Sequence, residues 1–174
     1  MSRSLSFFAA IALVFGFAGA AVASTQSIVV GKPAPAFTYR LIDGKALTPA
    51  TLRGHRYLLW VMATWCPSCT TGASVVADHI ALLRARHMLV VQMEAAGDLG
   101  YPGPSLTSIR DDIGEAARSP NWFWGVLTQE QSLAIDPSSV PDVYYLVDAS
   151  GRVVAQGSAP GAHWSDIENF AEGR

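Results

Sequence analysis

The sequence predicts an α/β domain on a mixed central sheet, with parallel strands in the middle, an antiparallel hairpin at the end and helices alongside. Three observations predict it. Tyr57–Ala63 and Met88–Met93 are nearly unbroken apolar runs, with the length of strands buried on both faces. Between them, a stretch from Pro67 to about Arg86 carries Val76, Ile80 and Leu83 at helical spacing, which makes a strand–helix–strand unit with a right-handed crossover. Later, Val143–Val147 and Arg152–Gln156 flank Asp148-Ala149-Ser150-Gly151, the signature of a hairpin.

The elements follow in order. Met1–Ala23 is read apart from the domain. Arg3 supplies a positive charge, Leu5–Ala20 is apolar apart from Ser6, and Ala21-Val22-Ala23 is a small-x-small cleavage pattern, so residues 1–23 read as a secretory leader. Residues 5–23 also approach the roughly 20 residues that span a bilayer, so an uncleaved anchor stays open as the alternative. Both readings export residues 24–174, which form one domain by length. Gly31-Lys32-Pro33-Ala34-Pro35 is an extended lead-in, Phe37–Ile42 a short strand, Asp43-Gly44 a turn and Pro49–Arg53 a helical turn stopped by Gly54. Pro67 suits the first turn of the helix that follows, because proline lacks the N–H an interior turn needs. Gly72 is a weak point in that helix.

Gly97–Pro104 ("GDLGYPGP") is a loop by composition, and Leu106–Arg118 a second helix. Trp122–Leu127 is a strand whose alternating aromatics read as core and cover. Thr128 caps a short helix to Ile135, Pro137–Pro141 is irregular, and His163–Phe170 closes the chain as a helix. The formal net charge is −2, and Arg84, Arg86 and His87 end a helix, where cations suit the dipole. No basic patch is left for nucleic acid.

The chain's two cysteines, Cys66 and Cys69, sit three positions apart behind Trp65 in "TWCPSC". An exported domain that needed covalent staples would spread its cysteines along the chain. Here both fall where a buried strand becomes a helix. The helix start offers unpaired N–H groups and partial positive charge, so Cys66 is expected to have a lowered pKa and to act as nucleophile. Cys69, one turn on, then resolves the mixed disulfide. Pro67 fixes the first turn, Ser68 adds a hydroxyl without charge, and Trp65 presents an apolar contact face. The lack of a histidine between the cysteines argues for a reducing or intermediate poise.

Competing readings are weaker. A structural zinc site needs about four ligands, and His55, His79, His87 and His163 are scattered. An inert disulfide across so short a loop constrains little of the unfolded chain. Cu(I) held by Cys66 and Cys69, helped by Met62 or Met93, is compatible with the donor types and stays as an alternative.

With these residues in hand, the chain resembles the exported thioredoxin-like proteins of the TlpA/ResA/CcmG type, within the redoxin and alkyl-hydroperoxide-reductase/thiol-specific-antioxidant group. "GKPAPAFTYRLIDGKALTPATLRG" resembles that family's lead-in, "LLWVMATWCPSC" its strand and active-site motif, and "VPDVYYLVDASGRVV" its proline loop and hairpin. The resemblance implies a thioredoxin fold with an N-terminal β-hairpin extension. It implies a cis bond between Val140 and Pro141 beside the sulfurs, exposing the Val140 backbone to pair with a substrate; an ordinary loop proline is the alternative. It also implies an acidic residue that helps move a proton from Cys69. Glu94, ending the strand Met88–Met93, is the candidate, with a solvated strand end as the other reading.

Two places depart from the family's pattern. Thr70-Thr71-Gly72-Ala73 replaces its charged residue and kinking proline, and the loop Gly97–Pro104 has no counterpart motif. "TWCPSC" lacks the proline and threonine that precede a peroxidatic cysteine. The expected partners are protein disulfides or dithiols and an upstream membrane thiol donor. A monomer without a cofactor is expected. The alternatives in function are a Cu(I) chaperone and a net disulfide oxidant or isomerase.

Overall fold

The computed structural model describes residues 27–174, so the predicted leader lies outside the described residues. Tyr39–Leu41 (β1), Ala46–Leu47 (β2) and the short helix Pro49–Leu52 (α1) lead to the central strand, Tyr57–Met62 (β3). Pro67–Ala85 (α2) and Leu89–Glu94 (β4) complete the strand–helix–strand unit. Leu106–Ile113 (α3), Trp122–Val126 (β5), Gln129–Ile135 (α4), Val143–Val147 (β6), Val153–Ser158 (β7) and Trp164–Glu172 (α5) follow. Among the described residues, seven strands form one sheet in the order β2-β1-β5-β4-β3-β6-β7. β3, β4 and β5 are parallel; the outer pairings are antiparallel.

Alternation along β3 divides the core. Leu58, Trp60 and Met62 face α2, α3 and α5, where Ala73, Val76, Ile80, Leu83, Ile109 and Ile167 meet them. Tyr57, Leu59 and Val61 face the opposite layer, with Leu52 of α1, Ile135 of α4 and Tyr145 of β6. A strand buried on both faces must read as a continuous apolar run, which is why β3 was legible. The aromatic strand is core, as its alternation suggests. Trp122 and Trp124 stack at 4.7 Å on the α2 face, and their indole N–H groups donate to Gln92 Oε1 and to the Ala117 carbonyl.

The N-terminal hairpin extension is present. β1 pairs antiparallel with β2 and, on its other side, with β5. The proline-rich lead-in does more than extend: Gly31 N–H donates to the Val153 carbonyl, and Lys32 accepts from Val153 N–H. The predicted helix Leu106–Arg118 is interrupted. Gly114 takes φ 85°, ending α3, and a 3-10 turn runs from there to Arg118. Gly72 is not merely a weak point. A Cβ there would lie 3.1 Å from the Trp60 ring, so the glycine lets α2 approach β3 closely.

Gly125 is the tightest point of the hairpin's attachment. A Cβ on it would lie 2.5 Å from the Arg40 carbonyl and 2.7 Å from Met93 Cε. Gly125→Ala should therefore lower the thermal midpoint by the equivalent of about 1–3 kcal/mol, the usual cost of overpacking. An unchanged midpoint would mean that β1 yields without cost.

Candidate functional site

β3 ends at Met62, and Ala63-Thr64-Trp65 carries the chain to Cys66, the residue that caps α2. Cys66 is extended (φ −82°, ψ 116°) and Pro67 takes the first helical position, as the motif predicts. In that geometry the cap side chain faces the orphan N–H groups of the first turn. The Cys69 N–H donates to Cys66 Sγ at 3.3 Å, and Ser68 Oγ lies 3.2 Å from the same sulfur. These contacts can support charge on Cys66 Sγ as it attacks or leaves. Both cysteines are free thiols; Cys66 is 4% exposed and Cys69 fully buried. Burial pushes the Cys69 thiol well up, helped by its contact with Cys66 and by the charge of Asp142.

Asp142 is the residue that reading the sequence missed. The two sulfurs and a carboxylate oxygen of Asp142 all lie within 4.8 Å of one another. Asp142 is 3% exposed; Oδ1 accepts from Trp60 Nε1 at 2.9 Å, and Oδ2 has no hydrogen-bond partner among the described residues. An unpaired buried carboxylate oxygen is costly, so its place beside two thiols has a chemical consequence. The one available signal was an aspartate opening a buried apolar strand, "VPDVYYLV".

Glu94, the residue proposed for that position, is elsewhere. It pairs across the ladder with Met62, is half-buried, and does not join the sulfur group. Its carboxyl is pushed up by burial and then by the charge of Asp98. The expected cis bond is also corrected: the described residues contain no cis peptide, so Val140–Pro141 is trans. The chain reverses there through left-handed residues on either side, Ser139 (φ 50°) and Asp142 (φ 72°). Val140 is 52% exposed, and Pro141 lines a groove with Trp65, Leu99, Tyr101, Gln129 and Ser139. That groove adjoins the chain neighbours of Cys66 and Asp142.

The loop Gly97–Pro104 closes over the same turn. Gly97, Asp98 and Leu99 are all left-handed (φ 59°, 52° and 57°). For Asp98 and Leu99 this costs about 1–2 kcal/mol each. Offsetting it, the Asp98 carboxylate accepts from Thr64 N–H at 2.6 Å and Thr64 Oγ1 at 2.5 Å, and the Asp98 carbonyl accepts from Trp65 Nε1 at 2.7 Å.

The donor set for a metal differs from expectation. Met93 packs on the opposite sheet face from the cysteines, and Met62 Sδ accepts from Gln92 Nε2 at 2.7 Å. The third group beside the sulfurs is a carboxylate. That hard donor suits a borderline ion better than Cu(I), which selects thiolate and thioether.

The fold and the helix-capping Cys-x-x-Cys pair define a thioredoxin-like protein carrying a dithiol at its strand–helix junction. The solved structures agree on the fold. A thiol:disulfide interchange protein from Chlorobium tepidum matches with TM-score 0.63 at 22% identity, covering 83% of this chain and 99% of that one. A thioredoxin-like protein from Aeropyrum pernix matches with TM-score 0.56 at 20% identity, covering 78% and 89%. No protein-family model matches the chain. Among curated proteins, the chain is 31% identical over 127 residues to the thiol:disulfide interchange protein DsbE of Xylella fastidiosa, covering 66% of this chain. It is 50% identical over 48 residues to the DsbE of Pseudomonas fluorescens, 27% of each chain. The chain spans 59% of the length of the Xylella relative.

The electrostatics give a direct check. Removing the Asp142 charge removes one of the causes that hold the Cys69 thiol up, so Asp142→Asn should move Cys69 alkylation by iodoacetamide to lower pH. The comparison is made in a Cys66→Ser background, where only Cys69 reacts. An unshifted profile would separate Asp142 from Cys69.

Proposed function

We propose that the protein is an exported thiol–disulfide oxidoreductase that reduces specific protein disulfides. The observation that carries this is the capping geometry: Cys66 Sγ at the helix start accepts from Cys69 N–H, with Cys69 behind it against a buried carboxylate. Cys66, as thiolate, attacks one sulfur of a substrate disulfide; that bond breaks, and one substrate thiolate leaves. The Asp142 carboxylate takes the proton from Cys69, whose sulfur then attacks Cys66 Sγ. The mixed disulfide breaks and the second substrate sulfur leaves reduced. Two electrons pass to the substrate, and the protein ends with a Cys66–Cys69 disulfide. An upstream membrane thiol donor restores the dithiol. No further cofactor enters.

The direction has a physical support. A pair becomes oxidising when its reduced form is stabilised, as charge-stabilising groups do for a thiolate. Here the nearest fixed charge is negative and Cys69 is buried, so thiolate is penalised and the disulfide relatively favoured. Ser68 adds no positive charge. The resemblance to DsbE, a protein named for thiol:disulfide interchange, supports exchange chemistry at this pair. Clients of similar proteins lie in cytochrome c maturation or respiratory copper-centre assembly, and these are the two classes to search.

Cys66→Ser should abolish exchange, and Cys69→Ser should trap a mixed disulfide with the client. The reduction potential, from equilibration in glutathione buffers, should lie near thioredoxin's, about −270 mV. Asp142→Asn should raise it. A wild-type value near about −120 mV would reverse the proposed direction of electron flow.

A further inference from the structure

We propose that Asp98 is a positioning residue: the left-handed turn that carries it locks Trp65 and the approach to Cys66 as a rigid contact face for a substrate chain. The inference rests on the exchange activity proposed above. It accounts for a loop that neither the predicted motif nor the catalytic steps use.

The lock has three parts. The carboxylate holds both the N–H and the hydroxyl of Thr64, which is two residues before Cys66 and itself buried. The carbonyl of the same residue holds the Trp65 indole N–H. On the outer side, Tyr101 meets the Trp65 ring edge-on at 5.1 Å while staying 64% exposed. One residue thus bonds the backbone of the turn and the side chain at its tip. From its left-handed backbone Asp98 reaches neighbouring residues of one turn with both its carboxylate and its carbonyl, and aspartate is among the few residues other than glycine that visit this conformation. Gly103 seals the arrangement: a Cβ there would overlap Thr64 Oγ1 and stand 2.7 Å from Trp65 N and 2.8 Å from Asp98 Oδ2.

Trp65 would otherwise be a large apolar ring at the end of an irregular stretch. A contact face that must first be ordered weakens binding by the entropy of ordering it. With the ring fixed from both sides, the groove between Trp65, Tyr101 and Pro141 exists before a substrate arrives. The chemistry at the sulfurs does not need this face, but a polypeptide disulfide does. Loss of Asp98 should therefore raise KM for a peptide and leave a small disulfide unaffected.

Two variants separate the grip from the fold. Asp98→Gly keeps the left-handed backbone and drops the carboxylate. Asp98→Asn keeps an acceptor for Thr64 N–H and offers its amide to Thr64 Oγ1. The substrates are a peptide closed by a Cys-x-x-Cys disulfide and, as the small disulfide, 5,5′-dithiobis(2-nitrobenzoate). Asp98→Gly should raise KM for the peptide about tenfold, on the scale of one charge-assisted hydrogen bond. Its kcat should hold, its rate with the small disulfide should stay within about twofold, and Asp98→Asn should restore KM. Hydrogen exchange of the Trp65 indole N–H, assigned with Trp65→Phe, should be slow in wild type and Asp98→Asn and faster in Asp98→Gly, where the carbonyl that accepts it is kept but no longer pinned through Thr64.

A glycine variant with wild-type KM and slow exchange overturns the proposal. So does an equal loss on both disulfides, which would mark a structural role. If wild type reduces no peptide, the exchange reading fails by itself, and the indole measurement still decides the lock. If Asp98→Gly does not fold, Thr64→Val, which removes only the hydroxyl contact, should give a smaller rise in KM and a smaller gain in exchange rate; no change in either would count against it.

Discussion

A backbone N–H aimed at a sulfur organises this molecule. Cys66 receives the Cys69 N–H because it sits where β3 stops and α2 starts, with Pro67 setting the first turn. The contact is available only if the strand ends at that residue and the helix begins at the next. Continuous burial of β3 from Tyr57 to Met62 fixes the first condition. The second depends on the close approach of α2 to the sheet, which Gly72 permits against the Trp60 ring. The two layers of core packing therefore aim one hydrogen bond.

Trp60 links that geometry to the charge beside it. Its ring meets Gly72 of α2 while its indole N–H holds Asp142 Oδ1, so a single core side chain spaces the helix and orients the carboxylate. The second oxygen has no hydrogen-bond partner among the described residues, and the carboxylate lies beside the two sulfurs. A buried negative charge beside two buried sulfurs opposes a second negative charge there. That opposition disfavours the reduced pair in its ionised form, and it also gives Cys69 a neighbour able to accept its proton. One placement serves both the proposed poise and the proposed resolving step. The two demands conflict only if the carboxylate is neutralised permanently, and its single hydrogen bond to a neutral indole does not do that.

How much of this was legible follows from the range of the signals. β3, β4 and the hairpin β6–β7 were readable because burial on both faces and turn chemistry are local patterns. The capping cysteine was readable because strand, tryptophan, cysteine and proline are consecutive. The break in the Leu106–Arg118 helix turned on Gly114 adopting φ 85°, which a periodic pattern does not announce. The acidic partner was sought at Glu94, on the strand beside β3, where register alone would bring it near. It came instead from residue 142, 73 positions after Cys69, because β6 lies on the other side of β3 in the sheet. Strand order decides which of the two acids faces the sulfurs, and strand order is not a local property. The trans bond at Pro141 belongs with this: the left-handed residues Ser139 and Asp142 turn the chain, and their conformations depend on what they pack against.

The loop that follows β4 extends the same argument. Its composition, rich in glycine and proline, signalled an irregular segment and nothing of its use. In the folded chain the left-handed turn at residues 97–99 is held by bonds to Thr64 and Trp65, more than thirty positions earlier. A local conformation that is unfavourable alone persists when its surroundings over-determine it, and such places cluster at functional sites. The loop spends backbone energy to fix a ring that the sulfur chemistry does not touch. A protein dithiol meant to meet every disulfide would gain little from such a face; one meant for few clients gains selectivity from a groove whose walls do not move. The strained turn and the buried carboxylate thus act on different steps: the carboxylate on the exchange at the sulfurs, the turn on which chains reach them.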